Sequence, residues 1–521
     1  MPPQEPSGML VSLVDRVRTF WADDTIPLAQ RQSVLEQARA ANFSFGRPAP
    51  HFLEEGELLL RVQSAAALLS SDNAAIGEKE LIDLLSAIQL LDAWHRPIIY
   101  DLSGEQWPVL QKAHLDAQSR LLADGAFNSD TSQGKLVPRY GQDWRLCPEE
   151  WILSEIAKDF DEGFDDSAHL DLRAYLSFTS VLPNIIEASS PDDGKGPPRS
   201  VDLEYIASFP AVAPPAPQAR HKILVAPALH AEAEVAISVH QERYFVQPVD
   251  LCDRMDALAK EAFAAEGTVL FLPEMTLSSG SLTALQAALR KRHGEWSAQV
   301  GGQPRLIYAI VGVAEPHGDD TRNYVAVLTG TGELITEQDK LSRWDLDSEA
   351  QQWLGLGHVA DVLEEAIEPS ASVKLLELPG LGRLLILICA DMNIGEPGNF
   401  LYVNGAVDWV YAPIMDRTWR LKRDGKEEDW IVERARRAAI ATKGNVVVSN
   451  SLPLTLICNR TNDEHGLSYP PATHCQVGLL LDGRDDRLMS KPLSSELASP
   501  APIISGDWFD GWEEFIVRVA P

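Results

Sequence analysis

The 521-residue sequence predicts an α/β domain with two sheets, preceded by a mainly helical region. Three observations predict it. Before residue 185, apolar residues recur at spacings of three and four, the period of an amphipathic helix. After residue 221, short β-type runs alternate with helical stretches, which favours helices covering sheet faces. Between them lies a stretch rich in proline and glycine. The boundaries this implies are a helical domain over 1–185, a linker over 186–221 and an α/β domain over 222–521. A chain of this length holds roughly two to three domains.

In the first region, residues 28–41 contain many helix formers and few breakers. Residues 54–69 and 79–94 carry amphipathic spacing, and 148–160 opens with Pro148, Glu149 and Glu150, a helix-start signal. None of these helices shows a catalytic pattern. The linker reading rests on 189–200, with Pro191, Gly194, Gly196, Pro197 and Pro198, and on the proline-rich 210–217.

In the α/β region, strands are expected at 222–226, 268–272, 305–314, 323–329 and 333–337. Gly330-Thr331-Gly332 marks the turn between the last two. A strand pair follows at 373–378 and 383–389, and further strands at 409–412, 445–449, 475–481 and 515–519. Helices are expected at 249–266, 281–293 and 430–442. So many strands favour two sheets rather than one.

Composition narrows the function. Hydrophobic residues make up 45% and charged residues 23%, as in ordinary globular proteins. A net charge of −31 argues against nucleic acid or an anionic membrane as partner. The apolar run at 384–390 is far too short to span a bilayer. The five cysteines are scattered and odd in number, which suits a reducing compartment, and the first residues lack the blocks of a signal peptide. A cytoplasmic protein is the expectation. Cys458, His465, His474 and Cys475 lie within a short span but match no zinc spacing, so no metal is expected. No phosphate-cradling loop or dinucleotide fingerprint occurs, and no cofactor is expected.

Three titratable side chains sit at strand ends, where a rigid scaffold can aim reactive groups. Glu274 follows Val269-Leu-Phe-Leu-Pro, Lys340 follows Ile335-Thr-Glu-Gln-Asp, and Cys389 follows Leu384-Leu-Ile-Leu-Ile. A thiol is a poor nucleophile until it loses its proton, and a neighbouring carboxylate can take it. Attack on an amide carbonyl puts negative charge on oxygen, which an ammonium and the N–H after the cysteine can stabilise. Taken singly each residue has an ordinary reading: a small core cysteine, a solvated lysine, a glutamate in a first helical turn.

In their order and settings the three resemble the carbon–nitrogen hydrolases of the nitrilase superfamily, over roughly residues 222–520. Phe271-Leu-Pro-Glu274-Met is similar to the family's glutamate block. Asn323, the Gly330/Gly332 hairpin and Lys340 are similar to its lysine block, without the usual following histidine. Gly382-Arg-Leu-Leu-Ile-Leu-Ile-Cys389-Ala-Asp391 is the most specific match. The segment 405–413, and Trp430 with 434–439, resemble the strand and helix that follow, although the family's buried glutamate in that helix is missing.

The resemblance implies an α-β-β-α sandwich, assembly as a homodimer or larger homo-oligomer, and hydrolysis of a small amide or carbamoyl compound through a cysteine thioester. It implies a second glutamate between lysine and cysteine, for which Glu349 is the first candidate, with Glu364 and Glu365 behind it. Ala390 and Asp391 after the nucleophile look more like amidase, carbamoylase or glutaminase branches than nitrile-cleaving ones, and Met415 and Trp419 are candidates for the acyl pocket. The N-terminal region lies outside the family core and is a candidate for binding a protein partner. Two other functions stay open: acyl transfer to an amine by the same three residues, and a binding or regulatory protein that keeps the fold without activity.

Overall fold

The computed structural model describes residues 10, 12–14, 17, 84, 88, 135–138, 179–188, 199–207, 221–300, 306–378, 381–417, 430–442, 444–465, 474–483, 487–494, 503–508 and 516–518. The chain divides into two compact units, residues 1–186 with 399–407, and 187–398 with 408–521.

In the first unit Leu10, Leu13, Val14 and Val17 are helical and buried, the apolar stripe that a period of 3.6 produces. Leu84 and Ile88, within the expected helix over 79–94, are also helical and buried. A strand at Lys135–Pro138 pairs antiparallel with Thr179–Leu182, so this unit includes β-structure that the helical reading did not foresee. The expected helices at 28–41, 54–69 and 148–160 lie outside the described residues.

The second unit is built on two mixed sheets. The first contains β2 (His221–Val225), β5 (Val269–Leu277), β6 (Tyr308–His317), β7 (Asp320–Thr329), β8 (Leu334–Asp339), β17 (Ile503–Trp508) and β18 (Ile516–Arg518), in the order β8-β7-β6-β5-β2-β17-β18. β5 runs parallel to β2 and β6, and the outer pairs are antiparallel. The second contains β1 (Arg199–Ala207), β11 (Ser372–Leu378), β12 (Gly382–Ile386), β13 (Trp409–Pro413), β14 (Asn445–Ser449), β15 (His474–Asp482) and β16 (Arg487–Ser494). Among these strands the order is β16-β15-β14-β13-β12-β11-β1, with β12, β13 and β14 mutually parallel. A smaller sheet joins the hairpin β3 (Val235–His240) and β4 (Arg243–Pro248) to β10 (Val362–Glu365) and β9 (Leu346–Asp347).

Alternation of side chains explains the layering. Leu270 and Leu272 of β5 share a core with Met255, Leu258 and Phe263 of α1 (Cys252–Ala264) and with Leu285 and Leu289 of α2 (Ser279–Val300). Phe271 points the other way and meets the ring of Tyr411 on β13, centroids 4.5 Å apart. The Tyr411 hydroxyl donates to the Leu272 carbonyl, tying one sheet to the other. Gln338 of β8 makes a second tie, donating to Ser372 O at 3.0 Å and accepting from Lys374 N at 2.7 Å. On the second sheet α4 (Trp430–Thr442) lies on β14, and its buried Ala435, Ala438 and Ala439 permit close approach. Two further helices are α3 (Ser348–Trp353) and α5 (Pro453–His465).

One expectation fails outright: residues 199–207 are a strand of the second sheet, parallel to β11, rather than linker. Val201 and Leu203 are buried while Asp202 and Glu204 face out, a period-two pattern masked by the breakers on either side. No helix of the described residues is long and apolar enough to cross a membrane.

Candidate active site

Glu274 lies inside β5, not at its end. The strand continues to Leu277 across an irregularity between Leu272 and Leu277, where Met275 takes a left-handed φ of 49°. This bulge turns the Glu274 carboxylate into the protein, where the residue is 3% exposed. Its Oε1 accepts from Asn323 Nδ2 at 2.8 Å and its Oε2 from Met415 N at 2.9 Å. The bulge needs room: a Cβ on Gly312 of β6 would stand 2.0 Å from Pro273 O. Gly312→Ala is therefore expected to push β5 away, costing about 1–3 kcal/mol or more. Thermal denaturation checks this.

Lys340 follows β8 and is 2% exposed. Its backbone N–H donates to Asn323 O at 2.9 Å, so one asparagine holds both the Glu274 carboxylate and the Lys340 main chain. The Lys340 ammonium sits between two carboxylates, with Nζ 3.0 Å from Glu274 Oε1 and 2.7 Å from Glu365 Oε2. Burial opposes its charge, but Glu274 and Glu365 outweigh it, and the lysine pKa lies well above the ordinary value. It is a fixed cation, not a base.

The structure brings Glu365, rather than the first candidate Glu349, to Lys340. Glu349 is exposed in the first turn of α3, whereas Glu365 is buried at the end of β10. In β10, Leu363 and Glu365 face inward while Val362 and Glu364 face out, so the strand period singles out Glu365. Glu364 instead pairs at the surface with Arg343 at 3.0 Å. Glu365 Oε2 also accepts from Trp344 N at 2.7 Å. Burial raises the Glu365 pKa, Glu274 adds to this, and Lys340 pulls it back.

Cys389 begins a 3₁₀ turn (Cys389–Met392) separated from the end of β12 by two residues, with a left-handed φ of 49°. Such a backbone is strained for a non-glycine residue and persists where surrounding contacts enforce it. The thiol is buried and its pKa is raised well above the usual value, first by burial and then by Glu274, against the pull of Lys340. These surroundings favour the protonated thiol. Ala390, also buried, supplies the next N–H, one of those that a helical start leaves without an intrahelical acceptor.

Asp391 is buried among hydrogen-bond donors of the protein. Its carboxylate accepts from Leu341 N, Ser342 N, Ser342 Oγ and Ile388 N at 2.7–3.1 Å. Burial nevertheless raises its pKa to about 6. Met415 contributes its backbone N–H to Glu274, with a buried side chain; Trp419 lies outside the described residues. Tyr244 on β4 went unforeseen: its hydroxyl donates to Trp344 O, and its pKa is raised by burial and by Glu365, Glu274 and Cys389. Only its place in a β-hairpin of polar alternation hinted at it. Among the described residues, no group of three or more His, Cys, Asp or Glu side chains is arranged to hold a metal ion.

No family model matches the chain, and no curated protein does. Among solved structures it is similar to an amidase from Nesterenkonia sp., at 14% identity over 56% of this chain and 90% of that one, with a TM-score of 0.33. A double mutant of the amidase from Nesterenkonia sp. AN1, in complex with acrylamide, matches at 13% identity over 56% and 92%, with the same score. The glutamine-dependent NAD+ synthetase from Acinetobacter baumannii matches at 13% identity over 58% of this chain and 48% of that one, again at 0.33.

Proposed function

We propose that this protein hydrolyses the carbon–nitrogen bond of a small amide or carbamoyl compound, using Cys389 as nucleophile, Glu274 as general base and acid, and Lys340 with Glu365 as the charged frame. The observation that carries this reading is the buried ammonium of Lys340, held 3.0 Å from Glu274 and 2.7 Å from Glu365 beside a buried thiol on a strained turn. Burying two carboxylates and a cation together is costly, so such a cluster is weak evidence for stability and better explained by chemistry.

Cys389 Sγ attacks the carbonyl carbon while its proton passes to Glu274. The oxyanion that forms is stabilised by Lys340 Nζ and the Ala390 N–H. Collapse breaks the C–N bond, and Glu274 returns the proton to the leaving amine or ammonia. Water then attacks the thioester, giving its proton to Glu274. The thiolate leaves, recovers the proton, and the acid departs. Asn323 and the Met415 N–H fix both Glu274 oxygens, so the carboxylate needs no reorganisation between steps.

A screen of amides, carbamoyl compounds and nitriles for ammonia release tests the proposal. Turnover confined to amides or carbamoyl compounds supports it. Release from nitriles alone, or from nothing in a folded sample, overturns it.

A further inference from the structure

The short loop after Lys340 is held by two charged residues that take no part in the chemistry above. Asp391 accepts three hydrogen bonds from it, from Leu341 N at 3.1 Å, Ser342 N at 2.8 Å and Ser342 Oγ at 2.7 Å. Its other oxygen accepts from Ile388 N at 3.0 Å, the residue before the candidate nucleophile. One carboxylate therefore joins the lysine loop to the cysteine turn. From the opposite charge, Arg199 at the start of β1 donates to Leu341 O at 2.7 Å, to Pro369 O at 3.1 Å and to Ser370 O. Ser370 N in turn donates to Lys340 O at 2.8 Å. The Leu341 residue is thus gripped at its N–H by an anion and at its carbonyl by a cation, immediately beside Lys340.

We propose that Arg199 and Asp391 are a pair of positioning residues, a clamp that keeps the Lys340 ammonium in register with the Cys389 thiol. Charge-assisted bonds to buried backbone groups suit this task, being short and roughly twice as strong as neutral ones. The forked guanidinium is what reaches three carbonyls from two segments; a lysine in its place keeps the charge and loses the fork. The charged groups facing Asp391 are Lys340 and Arg199, and Ser342 shares its oxygen. The clamp rests on the proposed use of Cys389 but makes its own claim: the thiol is tuned by a lysine whose place is set from β1, which reads as linker in the sequence.

The test is the alkylation rate of Cys389 by chloroacetamide across about pH 6–10, read by peptide mass on the full chain, with thermal denaturation alongside. Lys340 pulls the Cys389 thiol down. Loosening the clamp should weaken that pull. A shift of one pKa unit corresponds to about a tenfold slower alkylation near pH 8. Arg199→Lys and Asp391→Asn are both expected to show this slowing, with the apparent thiol pKa moved up. Simple loss of the Asp391 charge predicts the opposite, a faster reaction, because a nearby anion disfavours the thiolate. Arg199→Lys conserves charge, so slowing there reports the lost fork, and it decides the matter should Asp391→Asn not fold. Alkylation in folded Arg199→Lys as fast as in the wild type, or faster, overturns the clamp. Slowed alkylation with no amide hydrolysed keeps the clamp and removes the hydrolase; the reverse pattern does the opposite.

Discussion

Cys389→Ala is expected to abolish amide turnover while leaving the fold in place. In the proposed reaction the thiol forms the covalent intermediate, and removing a nucleophile that acts as a unit with its base costs about 10⁴-fold or more in rate. The structural loss is small: one buried sulfur on a turn whose backbone is already fixed by Asp391, which accepts from Ile388 N at 3.0 Å. Circular dichroism and thermal denaturation should match the wild type closely, and ammonia release should fall to background. Alanine keeps the Cβ, so it meets the same strained φ of 49° and does not relax the turn.

Lys340→Met is expected to damage both rate and stability, and the stability loss should depend on pH. Methionine is close to lysine in volume but leaves Glu274 and Glu365, each 3% exposed, without the cation between them. Leaving a buried charge uncompensated costs about 3–5 kcal/mol. The sign of the pH effect follows from linkage. Burial and Glu274 raise the Glu365 pKa and Lys340 pulls it back, so removing the lysine lets it rise further above its unfolded value. A group raised on folding gives stability that is complete below the unfolded pKa and lost as pH rises through the folded one. The variant should therefore approach wild-type stability near pH 4 and fall behind it progressively toward pH 8. The wild type shows the same sign in weaker form, since Glu365 is raised even with Lys340 present. Turnover should drop by about 10²–10³-fold, the scale of removing one oxyanion donor. Denaturant melts at several pH values check the first expectation, and kinetics the second.

The parts of this molecule that were legible in the sequence are those where one strong local signal met no competitor. The strand Asn445–Ser449 and the helix Trp430–Thr442 follow directly from a β-branched run and from apolar spacing at 3.6. Glu274, Lys340 and Cys389 stood out because each follows an apolar or alternating run, and the structure brings Lys340 to 3.0 Å from Glu274 and places Cys389 within the field of both. Glu365 was harder. Its strand has four residues, Val-Leu-Glu-Glu, and only pairing with β4 and β9, distant in sequence or too short to read, makes it a strand at all. Glu349, the first candidate in the sequence, opens α3 beside the N-cap Asp347, where an exposed negative charge has a helical use. Arg199 was invisible for a different reason: its partners are carbonyls 142 to 171 residues away, and backbone carbonyls carry no sequence signature. The bulge at Met275 likewise shows only through Gly312, whose need for a bare Cα comes from a strand it meets in space.

The covalent step is the centre of the account, and mass spectrometry of acid-quenched protein during turnover of an amide found in the screen reads it directly. The account predicts an acyl group on the peptide that contains Cys389, discharged by hydroxylamine as the hydroxamate and absent from Cys389→Ala. An acyl group on any other residue, or turnover that yields neither adduct nor hydroxamate, contradicts it.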